Sequence, residues 1–244
     1  MVSKNQIKLI TALHQKKYRQ INKMFFAEGV KVIQELLHAE FVLEHLYQTE
    51  LMFDNVPQNK RSLISEADLK KVSALATPNN CIAVFHIPEQ QPVKTSGLIL
   101  ALDDIRDPGN FGTILRLCDW FGIEQVLCSK ETVDLFNPKV VQATMGSLSR
   151  VNVSYLEIAE FIGQAAMPVF GTFMDGNNIY EQDLPPKGII VMGNEANGIS
   201  AKIENSVSLK LSIPRFGKLR QTESLNVATA TAIVLSEFRR SSGT

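Results

Sequence analysis

Apolar positions recur at two different spacings along this chain, and the change from one to the other marks out its elements. Ile7, Ile10 and Leu13 fall one helical turn apart beside basic residues, which predicts an amphipathic first helix. A second helix is expected after Gly29, with Val30, Ile33, Leu36 and Leu37 on one face. Ser65-Glu66-Ala67-Asp68 carries the capping signal of another helix. The short apolar runs Phe41-Val42-Leu43 and Cys81–Phe85 read as strands. These elements make a small α/β unit that ends at Pro88–Lys94, a polar, proline-bounded linker.

Beyond the linker, strand-like and helix-like runs alternate. Strands are expected at 98–102, 125–128, 151–155, 168–173, 188–192 and 207–213, with helices at about 111–121, 138–147, 157–166 and 199–205. A last helix is expected over about 224–239, with Val227, Ala230, Val234 and Phe238 on one face. The runs at 98–102 and 188–192 are apolar throughout, as in strands buried on both faces of a parallel sheet. An α/β domain of this kind takes ligands near the C-terminal ends of its strands.

Composition narrows the function classes. The 244 residues are 45% hydrophobic and 20% charged, an ordinary globular balance. Twenty-five basic residues offset 25 acidic ones, so a strongly basic coat for nucleic acid is excluded while a local basic face is not. Such a face is present: residues 1–35 hold Lys4, Lys8, Lys16, Lys17, Arg19, Lys23 and Lys31 against Glu28 and Glu35. Cys81, Cys118 and Cys128 form no C-x-x-C, which argues against a zinc finger or disulfide framework and for a reducing cytoplasm. No apolar signal core opens the chain and no run is long enough for a bilayer, so no membrane is expected.

Three stretches could carry chemistry. In the first, Leu102–Arg116, a buried strand runs through Asp107-Pro108-Gly109 into a helix near Asn110. Free N–H groups at such a start favour an anion, and Ile114, Leu117 and Phe121 facing the core would turn Arg116 toward the cleft. On spacing alone, a capped turn with a solvated arginine is the reading that these residues favour. The second, Gly193–Ser200, has P-loop glycine spacing but Ile199 where the lysine belongs, which disfavours a triphosphatase. It also serves as a plain strand-to-helix turn. The third joins Ile213-Pro214 to Ser224-Leu225-Asn226-Val227-Ala228, with Ser224 as a helix N-cap. Asp103, Asp104 and Asp107 suit a solvated turn better than a metal, because no histidine follows residue 86, and Trp120 is most simply core. A dinucleotide-binding oxidoreductase lacks its glycine fingerprint at 107–112.

In this order the motifs Asn110-x-Gly112-x-x-x-Arg116, Gly193-Asn194-Glu195-x-x-Gly198 and Ile213-Pro214 with Ser224–Ala228 resemble the SpoU (TrmH-like) family of RNA ribose 2′-O-methyltransferases, in the SPOUT superfamily. The resemblance covers about 96–240. The part containing Arg19 and Phe25–Gly29 resembles the ribosomal-protein-like domain that often precedes it. The resemblance implies an α/β fold with a parallel sheet and a deep trefoil knot holding roughly 193–230, domains at 1–90 (RNA substrate binding) and 96–244 (catalysis), and a cytoplasmic homodimer without metal. It implies S-adenosylmethionine bound by Thr172, Gly193, Asn194, Gly198, Ile213, Pro214 and Leu225. Arg116, Asn110, Glu195, Ser224 and Asn226 would be catalytic, and Lys16, Lys17 and Arg19 would contact RNA, ribosomal rather than transfer RNA. The basic loop 215–223 looks longer than is usual in the family, and Glu223 stands where many relatives have a small residue. The alternative is a non-catalytic RNA-binding protein on the same knotted fold.

Overall fold

A computed structural model describes residues 3–217 and 224–241. Most of the basic loop 215–223, Glu223 included, therefore lies outside the described residues. The chain forms two compact units, residues 1–90 with 134–150, and residues 91–133 with 151–244.

In the first unit, α1 (Lys4–Ala12) opens with a capping box. Ser3 Oγ accepts the Gln6 amide N–H, and the Gln6 side chain accepts from the Ser3 amide. The basic stretch does not continue as one helix. It breaks after Leu13, and α2 (Lys16–Asn22) follows, ended by Lys23 at φ 53°. The remaining elements are β1 (Met24–Glu28), α3 (Val30–His38), β2 (Leu43–Gln48), β3 (Arg61–Leu63), α4 (Glu66–Val72) and β4 (Cys81–His86). The sheet order is β1-β4-β2-β3, with β4 antiparallel to both its neighbours. Strand β1 follows α2 after a single residue and ends on buried Glu28, so neither a turn signal before it nor a purely apolar run marks it in the sequence. Buried Glu28 is satisfied by Ser73 Oγ and the Ala74 amide.

The second unit begins with β5 (Leu98–Leu102), α5 (Pro108–Trp120) and β6 (Gln125–Cys128). Residues 134–150, with α6 (Pro138–Thr144), are then part of the first unit, where Phe136 packs 4.6 Å from Phe25 and Arg150 pairs with Glu35 at 2.6 Å. The second unit resumes with β7 (Asn152–Tyr155), α7 (Ile158–Gln164), β8 (Val169–Asn178), β9 (Gly188–Met192), α8 (Ala201–Glu204), β10 (Leu209–Ser212) and α9 (Val227–Ser241). Its six strands are all parallel in the order β10-β8-β9-β5-β6-β7. Every residue of β5 and β9 is buried, as their uninterrupted apolar runs require.

Three details differ from expectation. Helix α9 starts at Val227, capped by Asn226 rather than Ser224: Asn226 Oδ1 accepts the Ala228 and Thr229 amides at 3.0 and 3.2 Å. Helix α5 buries Phe111, Ile114, Leu115 and Cys118, so Leu117 and Phe121 lie at the edge of the core. Trp120 is 84% exposed, not core, because it shares the outward stripe of Thr113 and Arg116. All three cysteines are free and buried, and burial pushes the Cys81 thiol up to about 11 and holds those of Cys118 and Cys128 above the ordinary thiol range. Among the described residues no helix is long and apolar enough to cross a membrane.

Candidate active site

Strands β5 and β9 pair from Leu98–Gly188 to Leu102–Met192, and the Asp103 amide continues the ladder by donating to Met192 O. The first and second motifs therefore leave the sheet side by side. Asp103 is buried rather than solvated, and its Oδ2 accepts the Ser200 amide at 2.7 Å, tying the start of one motif to the end of the other. Asp104 sits at φ 59°, an uncommon conformation outside glycine, with its carboxylate paired to Arg106 and its carbonyl accepting Asn194 Nδ2 at 2.8 Å. Asp107 caps α5 by accepting the Asn110 amide at 2.7 Å. The three aspartates are thus engaged in building the loop, and among the described residues no cluster suited to a metal ion occurs.

The second motif closes on itself. Asn194 and Gly198 exchange backbone hydrogen bonds at 3.0 and 2.8 Å, while Asn194 Oδ1 accepts the Ala196 and Asn197 amides. Gly198 makes the turn at φ 68°. A Cβ on Gly193 would come within 2.3 Å of the Gly198 carbonyl carbon and 2.4 Å of the Ile199 nitrogen. Because both obstacles are backbone, Gly193→Ala is expected to destabilise the protein by about 1–3 kcal/mol, read as a lowered urea midpoint. A midpoint unchanged from wild type would mean that the loop is open in solution.

Two asparagines join the three motifs. Asn226 Nδ2 donates to Asn110 Oδ1 at 2.9 Å, and Asn110 Nδ2 donates to Glu195 Oε1 at 2.7 Å. Beside this chain lies a cavity of about 810 Å³. Its walls include Met192 through Ile199, Ile213, Pro214, Ser224, Leu225, and Val227, Ala230 and Val234 of α9. Thr172 also lines it, held by a 3.1 Å hydrogen bond to Val191 O. The helical period predicted the apolar face of α9 without indicating that part of it borders a cavity.

Of the predicted site residues, Gly193, Asn194, Glu195, Gly198, Ile213, Pro214, Ser224 and Leu225 all line this cavity with Thr172. Asn110 and Asn226 reach it through Glu195. Arg116 does not line it; the side chain lies on the exposed stripe of α5 with no ion pair or hydrogen bond among the described residues. Lys16 and Lys17 are exposed on α2, but Arg19 is 2% exposed. Its Nη1 donates to Leu13 O and His14 O at 2.8 and 3.0 Å, and its guanidinium pairs with Asp134. An RNA contact by Arg19 is therefore corrected to a buried structural role. Asp103, Asp104 and Met192 were missed as parts of the site; only their place at strand ends could have flagged them.

Residues 97–236 match the SpoU rRNA Methylase family, and residues 4–83 match the MRM3-like substrate binding domain. The 23S rRNA (guanosine(2553)-2'-O)-methyltransferase RlmP of Bacillus subtilis is 30% identical, with 97% of each chain covered. A solved structure of a Porphyromonas gingivalis protein assigned to the TrmH family of RNA methyltransferases superposes with a TM-score of 0.90 at 40% identity, covering 99% of this chain and 100% of that one. An AdoMet-bound rRNA methyltransferase from Sinorhizobium meliloti superposes with a TM-score of 0.86 at 27% identity, covering 98% and 97%. With Asn110, Glu195 and Asn226 of the three motifs joined by hydrogen bonds and the family match spanning 97–236, the chain belongs to the SpoU rRNA methylase family.

Proposed function

We propose that this protein transfers a methyl group from S-adenosylmethionine to a ribose 2′-hydroxyl of ribosomal RNA. The observation that carries the reading is the hydrogen-bonded chain Asn226–Asn110–Glu195 beside the cavity that Gly193, Ile213 and Leu225 line. At about 810 Å³, with apolar Met192, Ile213 and Val227 beside polar Thr172 and Ser224, the cavity suits a nucleoside carrying an amino-acid arm. Thr172, Gly193, Asn194, Gly198, Ile213, Pro214 and Leu225 would hold it. Bound there, the cofactor supplies an electrophilic methyl group on a positively charged sulfur.

The protein's task is then to orient the ribose and stabilise charge. Asn110, Glu195, Ser224 and Asn226 position the hydroxyl against the methyl carbon. Arg116 stays protonated, so it acts as a cation on the target's phosphate. The working unit in this reading is a homodimer in which a second copy brings the arginine, and the place of Arg116 outside the cavity of its own chain supports it. The knotted passage of 193–230, the division into a substrate-binding domain 1–90 and a catalytic domain 96–244, and a cytoplasmic location belong to the same proposal.

Labelled S-adenosylmethionine incubated with unmodified ribosomal or transfer RNA tests the reading. The expected result is a 2′-O-methyl nucleoside in ribosomal RNA, and absence of both transfer and cofactor binding would leave the non-catalytic RNA binder. Lys16→Glu with Lys17→Glu is expected to weaken RNA binding and flatten its dependence on salt, since each lysine lost removes a phosphate contact. An unchanged salt slope would place the RNA surface elsewhere.

A further inference from the structure

We infer that Glu195 accepts the proton of the ribose 2′-hydroxyl during methyl transfer; the inference rests on the reaction proposed above. The direction of the hydrogen-bonded chain is fixed at both ends. At one end the Ala228 and Thr229 amides can only donate, so Asn226 presents its oxygen to them and its Nδ2 to Asn110. Asn110 then has only its Nδ2 left for Glu195, whose ionised carboxylate can only accept. The chain therefore ends on a carboxylate whose Oε1 is held at 2.7 Å, and Oε2 makes no hydrogen bond among the described residues.

The alternatives are fewer than they look. Among the described residues no histidine or lysine lines the cavity, and Asp175 and Arg215 are the other charged side chains that do. Asp103, Asp104, Arg106 and Asp107 are the charged groups of the loop that carries Asn110, and each is already engaged, Asp103 by the Ser200 amide, Asp104 and Arg106 by one another and Asp107 as the cap of α5. Arg116 and Arg215 stay protonated and cannot take a proton. Asp175 lies on β8, outside the asparagine chain. Glu195 thus combines an acceptor atom, a fixed orientation and a place beside the cavity.

The step balances. The 2′-oxygen forms a bond to the methyl carbon while the carbon–sulfur bond breaks, its electron pair staying on sulfur to give a neutral thioether. The hydroxyl proton passes to Glu195 Oε2, and the resulting carboxylic acid releases it to water.

Glu195→Gln is the test, because its amide oxygen still accepts from Asn110 while the negative charge is gone. Single-turnover methyl transfer is expected to fall by at least about 100-fold, with cofactor and RNA dissociation constants within about threefold of wild type. The residual rate is expected to rise about tenfold per pH unit between pH 7 and 9 as hydroxide takes over, where wild type is level, and Glu195→Asp is expected to recover part of the rate. A rate within about threefold of wild type, or a wild-type pH profile, overturns the inference. So does a loss confined to Asp175→Asn. If wild type itself transfers no methyl group, the reaction has failed and not the assignment of Glu195.

Discussion

Arg116→Ala and Asn110→Ala are each expected to leave under about a hundredth of wild-type transfer, while heterodimers carrying one copy of each recover about half. The asymmetry follows from where the two side chains lie. Asn110 is bonded to Glu195 and Asn226 of its own chain, beside that chain's cavity. Arg116 starts from the same helix but lies on the outward stripe with Thr113 and Trp120, away from the cavity lining. If a site combines one chain's asparagine with Arg116 of the partner subunit, a mixed dimer holds one complete site and one that lacks both residues. If each site is built within one chain, both sites of the mixed dimer stay damaged. The measurement is methyl transfer by heterodimers purified through two different tags, against the two parent homodimers. Activity no higher than the parents, or a protein that runs as a monomer, removes the shared site; full activity in Arg116→Ala alone removes the arginine from the reaction.

What could be foreseen from the sequence depended on whether a signal was local. Strands β5 and β9 are legible because five apolar residues in a row have few other uses, and their ends coincide with the expected ones. The cavity-lining glycines are legible through motif spacing. Residue type alone places the cap of α9 two residues early, because Ser224 and Asn226 are equally good capping types; the hydrogen bonds of Asn226 decide between them. Residue type places Trp120 in the core, whereas position on the helix puts it outside. The assignment of residues 134–150 to the first unit, with Phe136 on Phe25, rests on contacts between residues more than a hundred positions apart. No periodicity within either segment reports such a pairing.

Arg19 shows the same limit with an energetic consequence. Six basic residues precede the first acid, and charge alone puts them on one solvated face. The neutralising acid is Asp134, 115 residues away, which accepts both Arg19 Nε and Nη2. Around the guanidinium, Leu13 O and His14 O supply the remaining acceptors, so Arg19 fastens the turn between α1 and α2 to the 134–150 segment within the first unit. Removing the carboxylate leaves a cation that is 2% exposed, with two carbonyls as its acceptors among the described residues. Asp134→Ala is therefore expected to lower the unfolding free energy by about 3 kcal/mol, read from urea denaturation. Replacing both partners by apolar residues, Arg19→Met with Asp134→Leu, is expected to cost less than Asp134→Ala alone, because no unpaired charge is then buried. Neither variant is expected to change the slope of RNA affinity against salt, since a phosphate contact by Arg19 would contribute to that slope and a buried ion pair does not. A loss under about 1 kcal/mol in Asp134→Ala would mean that Arg19 is hydrated in solution, and a flattened salt slope in the double variant would return it to the RNA-binding face.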